Sequence, residues 1–214
     1  MTPVVCLVTD RRQEAAGDVG ALVERVTWAA RAGVHLVHVR ERDLEGSALT
    51  ALVRQCVQAV RGTRTRVVVN DRLDVALAAG AHGVHLRADS VAAARVRAVA
   101  PRGFLVGRSL HSVAEALEAE RRGGLDYVLF GSVFATGSKP GHVPEGIDGL
   151  NAVVGAVRLP VLAIGGMTPD KLPEVAATGA AGFAAISLFA VASEPMLRQA
   201  VSRAAMEWTK GRTR

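Results

Sequence analysis

His38, Arg40 and Arg42 alternate in the stretch "HVRERD". In extended backbone that spacing puts the three side chains on one side of the chain. Three such donors suit a phosphate or diphosphate, or they pair with the neighbouring carboxylates Glu41 and Asp43. Further on, "FGSVFATGSKPGHVPEG" places Thr136, Ser138 and Lys139 in a loop of Gly, Ser, Thr and Pro. Lys139 is one of only three lysines in 214 residues. A polar loop of this kind can fold over an anionic substrate, its ammonium neutralising charge on a leaving group. A Schiff-base lysine would instead need a desolvated setting, which this loop does not offer. In "VVVNDR", Asp71 beside Asn70 can serve as a salt-bridge anchor, as a helix N-cap, or, with a diphosphate ligand, as a carboxylate for Mg²⁺. Gly165 and Gly166, with Ser187 further along, supply the two halves of a phosphate cradle built from backbone N–H groups and a helix start.

These residues need a scaffold that gathers them. Eight short runs rich in Val, Ile and Leu read as buried strands, at 4–9, 34–39, 66–70, 83–86, 104–107, 126–131, 160–165 and 182–187. Between them lie Ala/Leu/Glu/Arg stretches with helical spacing. Ser112 with Glu115 predicts a capping box, and Thr168 before Pro169 predicts an N-cap with proline at the first helical position. Gly33, Gly80, Gly123 and Gly179 each precede a strand, where a helix C-terminus calls for a left-handed residue. Eight strand-then-helix units without a linker predict a single (β/α)8 TIM barrel domain over residues 1–214, an α/β fold. Chemistry in such a barrel sits at the carboxyl ends of the strands, where all the residues above are found.

Composition narrows the partners. Half of the residues are apolar, enough for a sizeable core, and the net charge is +6. The arginines are scattered along helical segments and only 4% of residues are aromatic, so a solvated basic surface is favoured over a nucleic-acid face. An anionic small-molecule substrate is compatible with that charge. Cys6 and Cys56 form neither a disulfide framework nor a metal motif, which fits a reducing cytoplasm. No segment reaches the ~18 apolar residues of a membrane span, and the N-terminus does not read as a secretory signal. The expectation is a cytoplasmic protein with no membrane or nucleic-acid partner, and a barrel of this size is compatible with a homodimer.

The blocks "VHVRERD", "VVNDR", "GVHL", "GRSLHS", "DYVLFGSVFATGSKPG" and "LAIGGMTP" resemble, in order and spacing, those of the thiamine phosphate synthase/TenI family. The resemblance runs over nearly the whole chain. It implies a (β/α)8 barrel that joins a hydroxymethylpyrimidine diphosphate to a thiazole phosphate and releases diphosphate. On the matching positions, it implies that His38, Arg40 and Arg42 grip the diphosphate, that Asn70 contacts the pyrimidine, and that Asp71 binds Mg²⁺. It further implies that Ser109 lies by the reacting centre, that Lys139 meets the diphosphate, and that Thr136, Ser138, Gly166, Ile186 and Ser187 hold the thiazole phosphate.

Three departures from the synthase pattern stand out. His38 replaces a glutamine and Arg42 a lysine, while "RADS" (87–90) replaces "GQED", so that Asp89 would supply the second Mg²⁺ carboxylate one position early. The TenI branch implies an alternative, a thiazole phosphate tautomerase. Its histidine position here is Ser132, which leaves His111 or His38 to carry the proton. A binder that keeps the phosphate cradle without turnover is the remaining alternative.

Overall fold

The computed structural model describes residues 2–14, 17–136, 143–190 and 193–213. Strands and helices alternate as β1 (Val4–Val8), α1 (Val19–Arg31), β2 (Leu36–Val39), α2 (Gly46–Ala59), β3 (Arg66–Asn70), α3 (Leu73–Ala78), β4 (Gly83–Leu86) and α4 (Ala93–Val99). The second half continues as β5 (Leu105–Leu110), α5 (Val113–Arg122), β6 (Tyr127–Phe130), α6 (Gly146–Ala156), β7 (Val161–Ile164), α7 (Leu172–Ala177), β8 (Gly182–Ala185) and α8 (Glu194–Arg212). All neighbouring strands pair in parallel, and β8 returns to β1 to close the eight-stranded barrel. The predicted (β/α)8 architecture is therefore the observed one.

The near-continuous apolar character of the strands has a direct cause, since both of their faces are covered. The larger core lies between the barrel and its helices, and includes Val37, Val67, Val69, Val84, Val106 and Val128. The alternate residues turn inward: Cys6, Val8, Leu36, Tyr127, Leu129, Leu162 and Ala184 fill the barrel itself. Both cysteines are buried and free, and burial pushes each thiol up to about 12, so neither is a reactive thiolate.

Local signals hold with instructive exceptions. Gly33, Gly80, Gly123 and Gly179 all adopt positive φ after their helices. Ser112 caps α5 by accepting from the Glu115 N–H at 3.1 Å. Glu115 returns its bond one residue earlier than a reciprocal box requires, accepting from the His111 N–H at 2.7 Å. Thr168 and Pro169 open a short 3-10 turn ahead of α7. Strand β5 runs to Leu110, three residues past its expected end. Arg108 and Ser109 therefore belong to a strand and obey its alternation. Ser109 turns inward, whereas Arg108 turns outward and binds the carbonyls of Arg87 at 3.0 Å, Ala88 at 2.8 Å and Ser90 at 3.4 Å.

Candidate functional site

The carboxyl ends of the strands open into a cavity of about 440 Å³. His38, Arg40, Arg42, Asn70 and Ser109, from the ends of β2, β3 and β5, line part of its wall, with Asp89 in the turn after β4. Thr136 after β6, Gly165 and Gly166 after β7, and Ile186 and Ser187 after β8 line the rest. Val8, Leu129, Ile164 and Ala184 form an apolar floor between them. Ser138 and Lys139 lie outside the described residues. Asp71 lies in an adjoining pocket, shared with Glu41, Arg42, Asn70, Arg72 and Arg87.

Arg40 and Arg42 follow β2 and keep their charge available. The pairing with Glu41 and Asp43 that the sequence allows goes elsewhere. Buried Glu41 accepts from the Thr9 hydroxyl at 2.6 Å and from the Arg11 N–H at 3.1 Å, and Arg11 also binds Asp43. Among the described residues, Arg40 and Arg42 form no salt bridge. Arg40 is half-buried, and desolvation followed by the charge of Arg42 lowers its pKa. Two guanidiniums held together in this way are better satisfied by an arriving anion than by anything already present.

His38 does not act as a third cation. Its side chain faces the barrel interior, 2% exposed, with its ring centroid 4.6 Å from that of His85. Burial, then Arg40, pushes its pKa down to about 3, although the nearby Asn70 side chain acts in the opposite direction. Neither ring nitrogen has a hydrogen-bond partner of good geometry among the described residues. The alternation that aligns His38 with Arg40 is real, but β2 ends at Val39, so only the arginines reach the solvated rim.

A buried polar chain that sequence spacing does not reveal lies beneath Ser109. His85 Nε2 is 2.9 Å from Ser109 Oγ, and His85 Nδ1 is 3.1 Å from the Tyr127 hydroxyl. Burial first, then His38, lowers the His85 pKa well below its usual value, while burial raises that of Tyr127. Both groups are therefore uncharged. Assigning the phenol hydrogen to Nδ1 places the His85 hydrogen on Nε2, facing Ser109 Oγ, whereas the other tautomer makes Ser109 the donor. In the first arrangement Ser109 keeps its own hydrogen for the cavity. Gly107 makes room for this pair, since a Cβ there would lie 2.3 Å from the Tyr127 ring and 2.6 Å from His85 Nδ1.

These buried imidazoles give stability a pH dependence. For His38 the folded pKa lies below the unfolded one, so between the two the unfolded chain binds the extra proton. Stability is full above about pH 6.5 and is lost as pH falls toward 3, by about 1.4 kcal/mol per pH unit for each such histidine. His85 contributes in the same sense. Urea titrations across this window should show that slope, and His38→Gln should reduce it. An unchanged slope would mean that His38 is not buried as a neutral ring.

The turn after β7 is shaped by glycine. At Gly166, φ is 62°, and a Cβ would come within 2.4 Å of the Ala135 carbonyl oxygen. The missing Cβ lets this turn pack directly against the backbone of the loop after β6. Gly166→Ala should push this turn away from Phe134 and Ala135 and so raise the KM for a phosphate held here by about tenfold. An unchanged KM in steady-state kinetics would remove the cradle from this turn.

Asp71 and Asp89 are both engaged by protein partners as they stand. Asp71 adopts a left-handed φ of 58° and, rather than capping α3, accepts from the Ser90 hydroxyl. Both carboxylates are engaged by Arg87, Asp89 at 3.0 Å and Asp71 at 3.4 Å. Among the described residues, no group of three or more His, Cys, Asp or Glu side chains is arranged to hold a metal.

With this geometry in place, comparisons with known proteins agree on a family. The family profile described as thiamine monophosphate synthase matches residues 5–189. A thiamine-phosphate synthase of Chlorobium luteolum is 36% identical over 195 residues, covering 91% of this chain and 88% of that one. One of Methanoculleus marisnigri is 41% identical over 160 residues, covering 74% and 75%. The structure named thiamine phosphate pyrophosphorylase from Pyrococcus furiosus superposes with a TM-score of 0.82 at 32% identity, covering 97% and 96%. A 3-hexulose-6-phosphate synthase, at 19% identity and a TM-score of 0.68, shares the fold alone. From β1 to the turn that follows β8, the chain belongs to the thiamine monophosphate synthase family.

Proposed function

We propose that this chain joins hydroxymethylpyrimidine diphosphate to thiazole phosphate, forming thiamine phosphate and free diphosphate. The observation that supports the reading is one cavity lined both by Arg40 and Arg42 and by the turns that carry Gly165, Gly166 and Ser187. A chemistry with two phosphorylated partners needs both.

In the reaction, the bond from the pyrimidine methylene carbon to the diphosphate oxygen breaks, and its electron pair leaves with the diphosphate. The thiazole nitrogen then donates its lone pair to the methylene carbon. No proton has to move at the reacting atoms, so the side chains act by positioning and by stabilising charge. Arg40 and Arg42 face the charge that develops on the departing diphosphate. Asn70 and Ser109 orient the pyrimidine, and Thr136, Gly166, Ile186 and Ser187 fix the thiazole phosphate. The apolar floor excludes water from the cationic carbon. By the resemblance, Ser138 joins the thiazole phosphate contacts and Lys139 the diphosphate contacts. No step is assigned to Mg²⁺, because Arg87 engages both carboxylates that would hold it.

Purified protein incubated with both phosphorylated heterocycles should form thiamine phosphate and diphosphate in equal amounts. No product at saturating substrates, with or without Mg²⁺, would overturn the reading. Interconversion of thiazole tautomers without coupling would assign the cavity to the tautomerase instead.

A further inference from the structure

We propose that Arg87 takes the place of a divalent cation at this site, so that the chain stabilises the departing diphosphate with a guanidinium and does not depend on Mg²⁺. The proposal rests on the synthase reading for its activity test but not for its binding test.

Arg87 is the first residue after β4, and its backbone is tightly held. Its N–H donates to Ser90 Oγ at 3.0 Å, its carbonyl accepts from the Ser90 N–H at 3.3 Å, and Arg108 binds that same carbonyl. Arg108 also anchors the carbonyls of Ala88, Ser90 and Val91, so the whole turn is fastened to β5. From this base the guanidinium reaches between the two acids. Nε and Nη2 bind Asp89 through both carboxylate oxygens, at 3.0 and 3.1 Å, and Nε lies 3.4 Å from Asp71 Oδ2.

Arg87 occupies the position between the two carboxylates and faces the anion pocket as a bound cation would, although it leaves this cluster one negative charge where a divalent ion would leave none. Arg87 lines the same cavity as Arg40 and Arg42, and its Nη1 has no hydrogen-bond partner among the described residues. Its planar fork matches phosphate oxygens. A metal ion entering between Asp71 and Asp89 would meet a like charge already in place. Ordinary surface ion pairs contribute little. This one differs because the same guanidinium faces a ligand cavity.

The test has a binding arm and an activity arm. Mn²⁺ binding to the substrate-free protein, followed by electron paramagnetic resonance, should be weak in wild type and should tighten by about tenfold or more in Arg87→Gly, once the like charge is removed. Equal Mn²⁺ affinity in the two proteins would overturn the proposal whether or not either is active. In the activity arm, wild type should retain synthesis in a chelator within about threefold of its rate with Mg²⁺. Arg87→Gly should lose about a hundredfold in chelator and recover with Mg²⁺. Wild-type activity abolished by the chelator and restored by Mg²⁺ would also overturn it. Absence of thiamine phosphate under every condition counts against the synthase reading, and the Mn²⁺ comparison then decides the role of Arg87 alone.

Discussion

Arg40→Ala should lower kcat/KM for the pyrimidine diphosphate by about a thousandfold, with most of the loss in kcat. Arg40 is half-buried, its carboxylate neighbour Glu41 is occupied by Thr9 and Arg11, and its pKa is lowered by desolvation and then by Arg42. The protein thus maintains a half-buried cation with no salt bridge of its own among the described residues, Asp10 and Glu41 acting on it only through their charge. Charge on the diphosphate grows as the carbon–oxygen bond lengthens, so the interaction strengthens in the transition state. Arg40→Lys should recover only part of the loss, because a point charge replaces a planar fork. The KM for the thiazole phosphate should stay within about threefold if that group is held, as proposed, by the turns after β7 and β8. Equal loss for both substrates in steady-state kinetics would place Arg40 in the structure of the rim rather than at the leaving group.

The second large effect belongs to a residue that does not line the cavity. His85→Leu should reduce kcat by about thirtyfold while leaving KM nearly unchanged, because it removes the ring nitrogen whose hydrogen bond fixes the Ser109 hydroxyl. Ser109→Ala should cost a similar factor. If His85 acts through Ser109, the double variant should be no slower than the slower single variant, a non-additivity that a general loss of packing would not produce. Tyr127→Phe should have a smaller effect, since it frees the His85 tautomer without removing the ring. Multiplicative losses in the double variant would show that His85 supports the barrel and does not position Ser109.

Periodicity made the architecture readable before any coordinates, because a parallel barrel covered on both faces writes each strand as a short apolar run. The rim was readable for the same reason, since Arg40, Asn70, Gly166 and Ser187 all stand at or just beyond strand ends. Direction was harder to read. His38 shares the alternation of Arg40 and Arg42, yet it sits two residues deeper, where burial outweighs basicity. Arg108 and Ser109 looked like a loop because a polar pair interrupts the run, and only the extended register of β5 separates the outward anchor from the inward hydroxyl. The His85–Tyr127 contact joins residues 42 apart, and its one sequence trace is Gly107, whose missing Cβ leaves space for both rings. Arg87 was visible as part of "RADS", but its reach toward both Asp71 and Asp89 depends on the turn held by Arg108.

A crystal structure soaked with diphosphate and thiazole phosphate together tests most directly whether one cavity receives both anions. The diphosphate should lie against the Arg40 and Arg42 guanidiniums, and the thiazole phosphate against the Gly166 and Ser187 backbone, with the apolar floor of Leu129 and Ile164 between them. Either anion bound outside this cavity, or both competing for a single wall, would contradict the account.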